Sequence, residues 1–171
     1  LTPTGSLTYN PEYLGIDMPV TAHFEGNRIT GFTGAPDMVA AVEAHYADVA
    51  DRFGLDAYNI DSWHAGFHPL MAYEGSATTD PLRWSGTAFQ HQRILHFHTS
   101  RILHFHTFGT CPPGEICWMI LEPTICIDGV VLRENGKLHP ERFEATGRVL
   151  DAFPELAAAF AAPAAPCGID R

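Results

Sequence analysis

HQRILHFHTSRILHFHTFGTCPPGEICW, residues 91–118, holds five of the chain's ten histidines together with Glu115 and two of its cysteines. Arg-Ile-Leu-His-Phe-His-Thr occurs in it twice, at 93–99 and 101–107. The offset is even, so in one continuous strand both copies point the same way. Period-2 alternation then puts His96, His98, His104 and His106 on one face and Leu95, Phe97, Leu103 and Phe105 on the other. A row of imidazoles is the commonest side-chain metal-binding material, and imidazole alone titrates near neutral pH without perturbation. Two adjacent copies of a heptad do not make a solenoid, which needs a longer period and more repeats. The repeat reads as a short tandem duplication or an error in the sequence, with one copy in the fold and the other bulging out.

The segments to either side have the signatures of an α+β domain. On the N-terminal side, apolar alternation around Gly26-Asn27 predicts a β-hairpin. From Pro36 to Phe53, Met38, Val42, Tyr46, Val49 and Phe53 recur every three or four residues. That predicts an amphipathic helix, with Pro36 and Asp37 in its first turn and Gly54 ending it. Residues 58–63 read as a short strand running into His64-Ala-Gly-Phe-His68-Pro69. The small residues there let the backbone approach a ligand closely, so His64 is expected to point into a site with His68 at its rim. Residues 73–90 read as a long loop with about one helical turn. Trp84 and Phe89 are its apolar contacts, suited to covering a pocket.

On the C-terminal side, residues 115–121 have the composition of a buried strand, with Glu115 and Cys117 on one face. Asp128-Gly129 and Asn135-Gly136 are hairpin turns. Residues 141–162 have helical spacing interrupted by Pro154, and the Ala/Pro-rich residues 163–171 are expected to form a mobile tail. The predicted architecture is a mostly antiparallel sheet with the Pro36–Phe53 helix on one face and helices at the C-terminus. It forms a single domain over residues 1–162, read as the C-terminal part of a longer chain.

Composition narrows the function classes. Ten Lys plus Arg against twenty Asp plus Glu give a formal net charge of −10, which argues against a nucleic-acid partner. No apolar run approaches the roughly 20 residues of a membrane span. Leu1 opens no signal-peptide pattern. The four cysteines show no CxxC pair and too low a density for a disulfide scaffold, and a cytoplasmic location is the expectation. HExxH, GxSxG, Walker and GxGxxG motifs are all missing. What remains is a donor set from separate elements: His64 at a strand end, His106 or His104 on the long strand, and Glu115 with Cys117 on the next. Two histidines and a carboxylate with open positions suit non-haem iron, and the same set serves catalytic zinc. Cys117 as a nucleophile with a histidine base is weighed against an inert core thiol.

The order strand pair, helix, His64-Ala-Gly-Phe67, Phe105-His-Thr-Phe-Gly109 and a buried strand ending at Ile127-Asp-Gly129 resembles the C-terminal part of the aminopeptidase T family of metallopeptidases. Within that family it is most similar to the iron-dependent 2,5-dihydroxypyridine dioxygenases. The resemblance implies that His64 is a metal ligand and that His106 lies where the family has a substrate-facing serine. The family's His-x-Asp ligand pair falls on Glu115 and Cys117, and Ser6 lies near the position of a metal-binding glutamate. These departures imply one metal rather than two.

The expected site is therefore one divalent ion, Fe(II) favoured over Zn(II), held by His64, His106 and Glu115. His106 or His104 acts as the base, and His68, Cys117 and Trp84 surround the set. The second heptad is expected to be the functional copy because Phe108-Gly109 follows it. The expected activity is on a small hydroxylated aromatic or heteroaromatic substrate, by dioxygen ring opening. The alternatives are a metal-dependent amide hydrolase and a non-catalytic remnant that has lost its metal. A homo-oligomer is compatible with all three.

Overall fold

A computed structural model describes the backbone of residues 6–9 and 12–15, and residues 20–77, 79–88, 90–99 and 116–169. The fold is α+β with antiparallel sheets. In chain order the strands are β1 (Ser6–Tyr9), β2 (Glu12–Gly15), β3 (Thr21–Glu25), β4 (Arg28–Thr33), β5 (Ile60–Ala65), β6 (Ile94–Thr99), β7 (Ile116–Leu121), β8 (Ile125–Ile127), β9 (Val130–Glu134) and β10 (Lys137–Leu138). The helices are α1 (Pro36–Phe53), α2 (Pro81–Ala88), α3 (Glu144–Ala152) and α4 (Pro154–Ala161), with a 3₁₀ turn at Pro140–Arg142. Among the described residues the strands form three sheets, ordered β2-β1-β7-β6-β5, β10-β9-β8 and β3-β4. No described helix is long and apolar enough to cross a membrane.

Where one domain is predicted, the chain divides into two compact units, residues 1–64 with 96–120 and residues 65–95 with 121–171. In the first unit, β3 and β4 pair around the Gly26 turn, and α1 follows directly. Pro36 opens α1, and Gly54 closes it in the left-handed conformation, its N–H bonded to the Ala50 carbonyl. The buried stripe of α1 is Val42, Tyr46 and Val49. Tyr46 is the centre of the unit's core. Its ring lies 5.3 Å from Phe32, 4.9 Å from Tyr58 and 6.3 Å from Trp118. Its hydroxyl accepts hydrogen bonds from Trp118 Nε1 at 2.6 Å and Thr99 Oγ1 at 3.1 Å. Burial pushes that hydroxyl well above the ordinary phenol range, so it stays protonated.

The second unit contains two hairpins with the predicted turns. Asp128-Gly129 links β8 to β9, and Asn135-Gly136 links β9 to β10, each with both central residues at positive φ. Pro154 separates α3 from α4, as its missing N–H requires.

One sequence expectation for this unit is corrected. Residues 73–90 contain α2, and Trp84 is fully buried in the unit's own core instead of covering a pocket. Residues 165–168, within the segment expected to be mobile, are bonded to the rest of the unit. Trp84 Nε1 donates to the Cys167 carbonyl at 2.8 Å, Tyr73 N to Pro166, and Ala77 N to Gly168, while a ring nitrogen of His91 pairs with the Ala165 carbonyl. Gly168 sits at φ +82°, where an added Cβ would meet Tyr73 at 2.7 Å and Trp84 at 2.8 Å. An Ala/Pro-rich composition predicts mobility only when the backbone has no partners to bond.

Candidate metal centre

Strand β6 lies between β7 and β5, and all six of its residues are buried. One face follows the aromatic core: Phe97 stacks on Trp118 at 6.1 Å and packs on Trp63 at 4.7 Å and Phe24 at 5.7 Å. Alternation sends His96 and His98 to the other face. They meet His64 of the neighbouring strand β5 there. The His64 and His96 rings stack at 4.7 Å with 7° between their planes. His98 lies 5.1 Å from His64 and 5.3 Å from His96. The first copy of the heptad is thus in the fold, with its imidazole and apolar faces as the alternation predicts.

The three side chains offer ring nitrogens that all lie within 4.8 Å of one another. Around a tetrahedral ion with Zn–N bonds of 2.0–2.1 Å, adjacent donors are about 3.3 Å apart, so modest ring rotations close the set on one cation. His96 and His98 are 2% and 3% exposed, while His64 is half-buried and marks the side open to solvent. Burial first, then the neighbouring His98 and His64, pulls the pKa of His96 down to about 2. His96 is therefore a neutral imidazole at physiological pH, the form that donates a lone pair to a metal. His64 Nε2 is 2.9 Å from Ser62 Oγ. Ser62, two residues earlier on the same strand face, thereby orients the ring. The donor chemistry of the set and the buried, neutral imidazole of His96 fit a divalent transition ion.

The expected site residues fare unequally. His64 is in the cluster. His104, His106 and Glu115 lie outside the described residues, as does the second heptad. The expectation that the first heptad stands apart from any convergent ligands is corrected, because among the described residues His96 and His98 join His64. Only the Phe-Gly following the second copy favoured that copy, whereas the His-x-His spacing that turns both rings one way is the same in each. Cys117 is fully buried in β7 and is not a member of the group. His68 is exposed in the second unit, its Nδ1 accepting from Leu70 N at 3.3 Å. Trp84 is committed to the Cys167 carbonyl.

Comparisons with protein-family models, curated proteins and solved structures find no match.

Proposed function

We propose that this protein is a mononuclear metal-dependent enzyme whose ion is held by His64, His96 and His98. The observation that carries the reading is the convergence of three imidazoles from two adjacent strands, two of them almost wholly buried. Three histidines suit zinc and also iron. The resemblance to the 2,5-dihydroxypyridine dioxygenases favours Fe(II) and a small hydroxylated aromatic or heteroaromatic substrate opened by dioxygen.

A bound divalent ion supplies a Lewis acid for the substrate's hydroxyl and, as iron, reactivity toward dioxygen. The chain's own residues do the rest. His96 stays unprotonated and competes with no proton for the ion, Ser62 holds His64 in one orientation, and the Phe97–Trp118 stack fixes the strand whose other face carries the donors. The side marked by His64 is where a substrate enters.

Metal analysis of anaerobically purified protein tests the proposal. One equivalent of iron supports the dioxygenase reading. One equivalent of zinc moves the proposal to a metal-dependent amide hydrolase. No stoichiometric ion, even after reconstitution with either metal, sinks the enzyme reading and leaves a non-catalytic remnant.

A further inference from the structure

Arg133, the fourth residue of β9, is 1% exposed, yet no carboxylate among the described residues pairs with it. A buried guanidinium without a counter-charge is expensive to keep, so its contacts are informative. Its Nη1 donates to the Gln92 carbonyl and its Nη2 to the Gly66 carbonyl. The guanidinium carbon lies 5.9 Å from the Phe67 ring centroid. Its Nε is buried without a hydrogen-bond partner among the described residues. All its polar work is thus spent on two backbone oxygens from two separate segments.

Those segments are the continuations of β5 and β6. Gly66 follows the last residue of β5, two after His64, and Gln92 lies four before His96. Gly66 N donates to the Ile94 carbonyl at 3.3 Å, and His68 N to the Gln90 carbonyl at 3.2 Å. The approach at Gly66 is so close that an added Cβ would run into the His91 carbonyl. A planar fork bridging both carbonyls fixes how far one segment slides past the other, which a point charge on a flexible stem does not do. Strand pairs have a single register, and a one-residue slip turns every side chain to the opposite face. Slippage here would turn His64 away from His96 and His98.

We propose that Arg133 is a positioning residue that clamps Gly66 to Gln92 and so holds the β5–β6 register on which the three-imidazole cluster depends. The proposal rests on the metal-centre reading for its consequence, though the clamp itself can be read without metal. Burial lowers the Arg133 pKa to about 10, so the guanidinium remains charged and donating at neutral pH.

The test uses the full chain with Arg133→Met and Arg133→Lys, read two ways. Zinc affinity is measured by competition with a chromophoric chelator, and amide hydrogen exchange is measured on metal-free protein at a temperature where every variant is folded. Arg133→Met is expected to weaken zinc binding about 10- to 100-fold, the range typical of residues that orient ligands, and to speed exchange at His64, His96 and His98. Arg133→Lys, able to hold one carbonyl at a time, recovers part of both. A merely structural arginine lowers the melting temperature but leaves zinc affinity and exchange in β6 as in the wild type, and that result overturns the proposal. If the wild type binds neither zinc nor Fe(II), the metal reading fails and exchange alone decides. Faster exchange at His96 and His98 keeps the clamp, and changes confined to residues 66–68 and 90–92 remove it. Should Arg133→Met not fold, Arg133→Lys carries both measurements.

Discussion

Replacing His96 with Gln keeps a neutral polar side chain of similar size on the buried face of β6 and removes one of three donors. In the wild type the ring nitrogens lie within 4.8 Å of one another, and His96 is already unprotonated. Metal binding at pH 7 therefore needs only ring rotation and no deprotonation at that residue. At a free zinc concentration 100 times Kd, binding to the native state alone adds ~2.7 kcal/mol. For a chain of 171 residues, at ~2–4 °C per kcal/mol, the melting temperature rises by about 5–11 °C. With His96 gone, His64 and His98 cannot fix the ion's geometry. An affinity loss of about 100-fold leaves ~0.4 kcal/mol of stabilisation at the same zinc concentration, or about 1–2 °C. The assay is thermal unfolding of both proteins with zinc and with a chelator, repeated with Fe(II) under anaerobic conditions. The chelated proteins provide the baseline, so any difference in metal-free stability is subtracted. If His96→Gln keeps the wild-type zinc shift, the ion binds elsewhere in the chain and the assignment of the cluster is wrong.

The metal-free protein carries a pH signature of the same residue. His96 is held near a pKa of about 2 in the folded chain against about 6.5 when unfolded, so the unfolded chain takes up the proton first. The stability that depends on neutral His96 is complete above about pH 6.5 and is lost as pH falls toward 2, at up to ~1.4 kcal/mol per pH unit. Urea unfolding at pH 7 and pH 5 should show a steeper decline for the wild type than for His96→Gln, and parallel declines would remove the argument. Tyr46→Phe deletes the acceptor of both Trp118 Nε1 and Thr99 Oγ1. Leaving two buried donors unsatisfied costs about 1–3 kcal/mol each, read as a lower urea midpoint; a loss under about 0.5 kcal/mol contradicts the role given to that hydroxyl.

Much of the local structure was readable from residue order because it is decided within a few residues. The Pro36 start and Gly54 stop of α1, the Asp128-Gly129 and Asn135-Gly136 turns and the break at Pro154 each follow from the φ preferences of the residues that make them. The two faces of β6 follow in the same way from alternation. Trp84 and Cys167 show where this reasoning stops. Composition suggested a cover and a loose end, but the indole N–H and the Cys167 carbonyl, 83 residues apart, satisfy each other in a buried core.

The sequence by itself determined that the chain is α+β, that its histidine strand presents imidazoles on one face, and that His64 stands in a close-packed strand end suited to a ligand. Only the tertiary structure decided which histidines His64 meets. That choice depends on which strands are neighbours and in what register, and two copies of one heptad are locally identical. Among the described residues, β5 lies beside the first copy. Arg133 was illegible for the same reason. Nothing near it in sequence announces a buried charge, and its role is set by two carbonyls that lie 41 and 67 residues away along the chain.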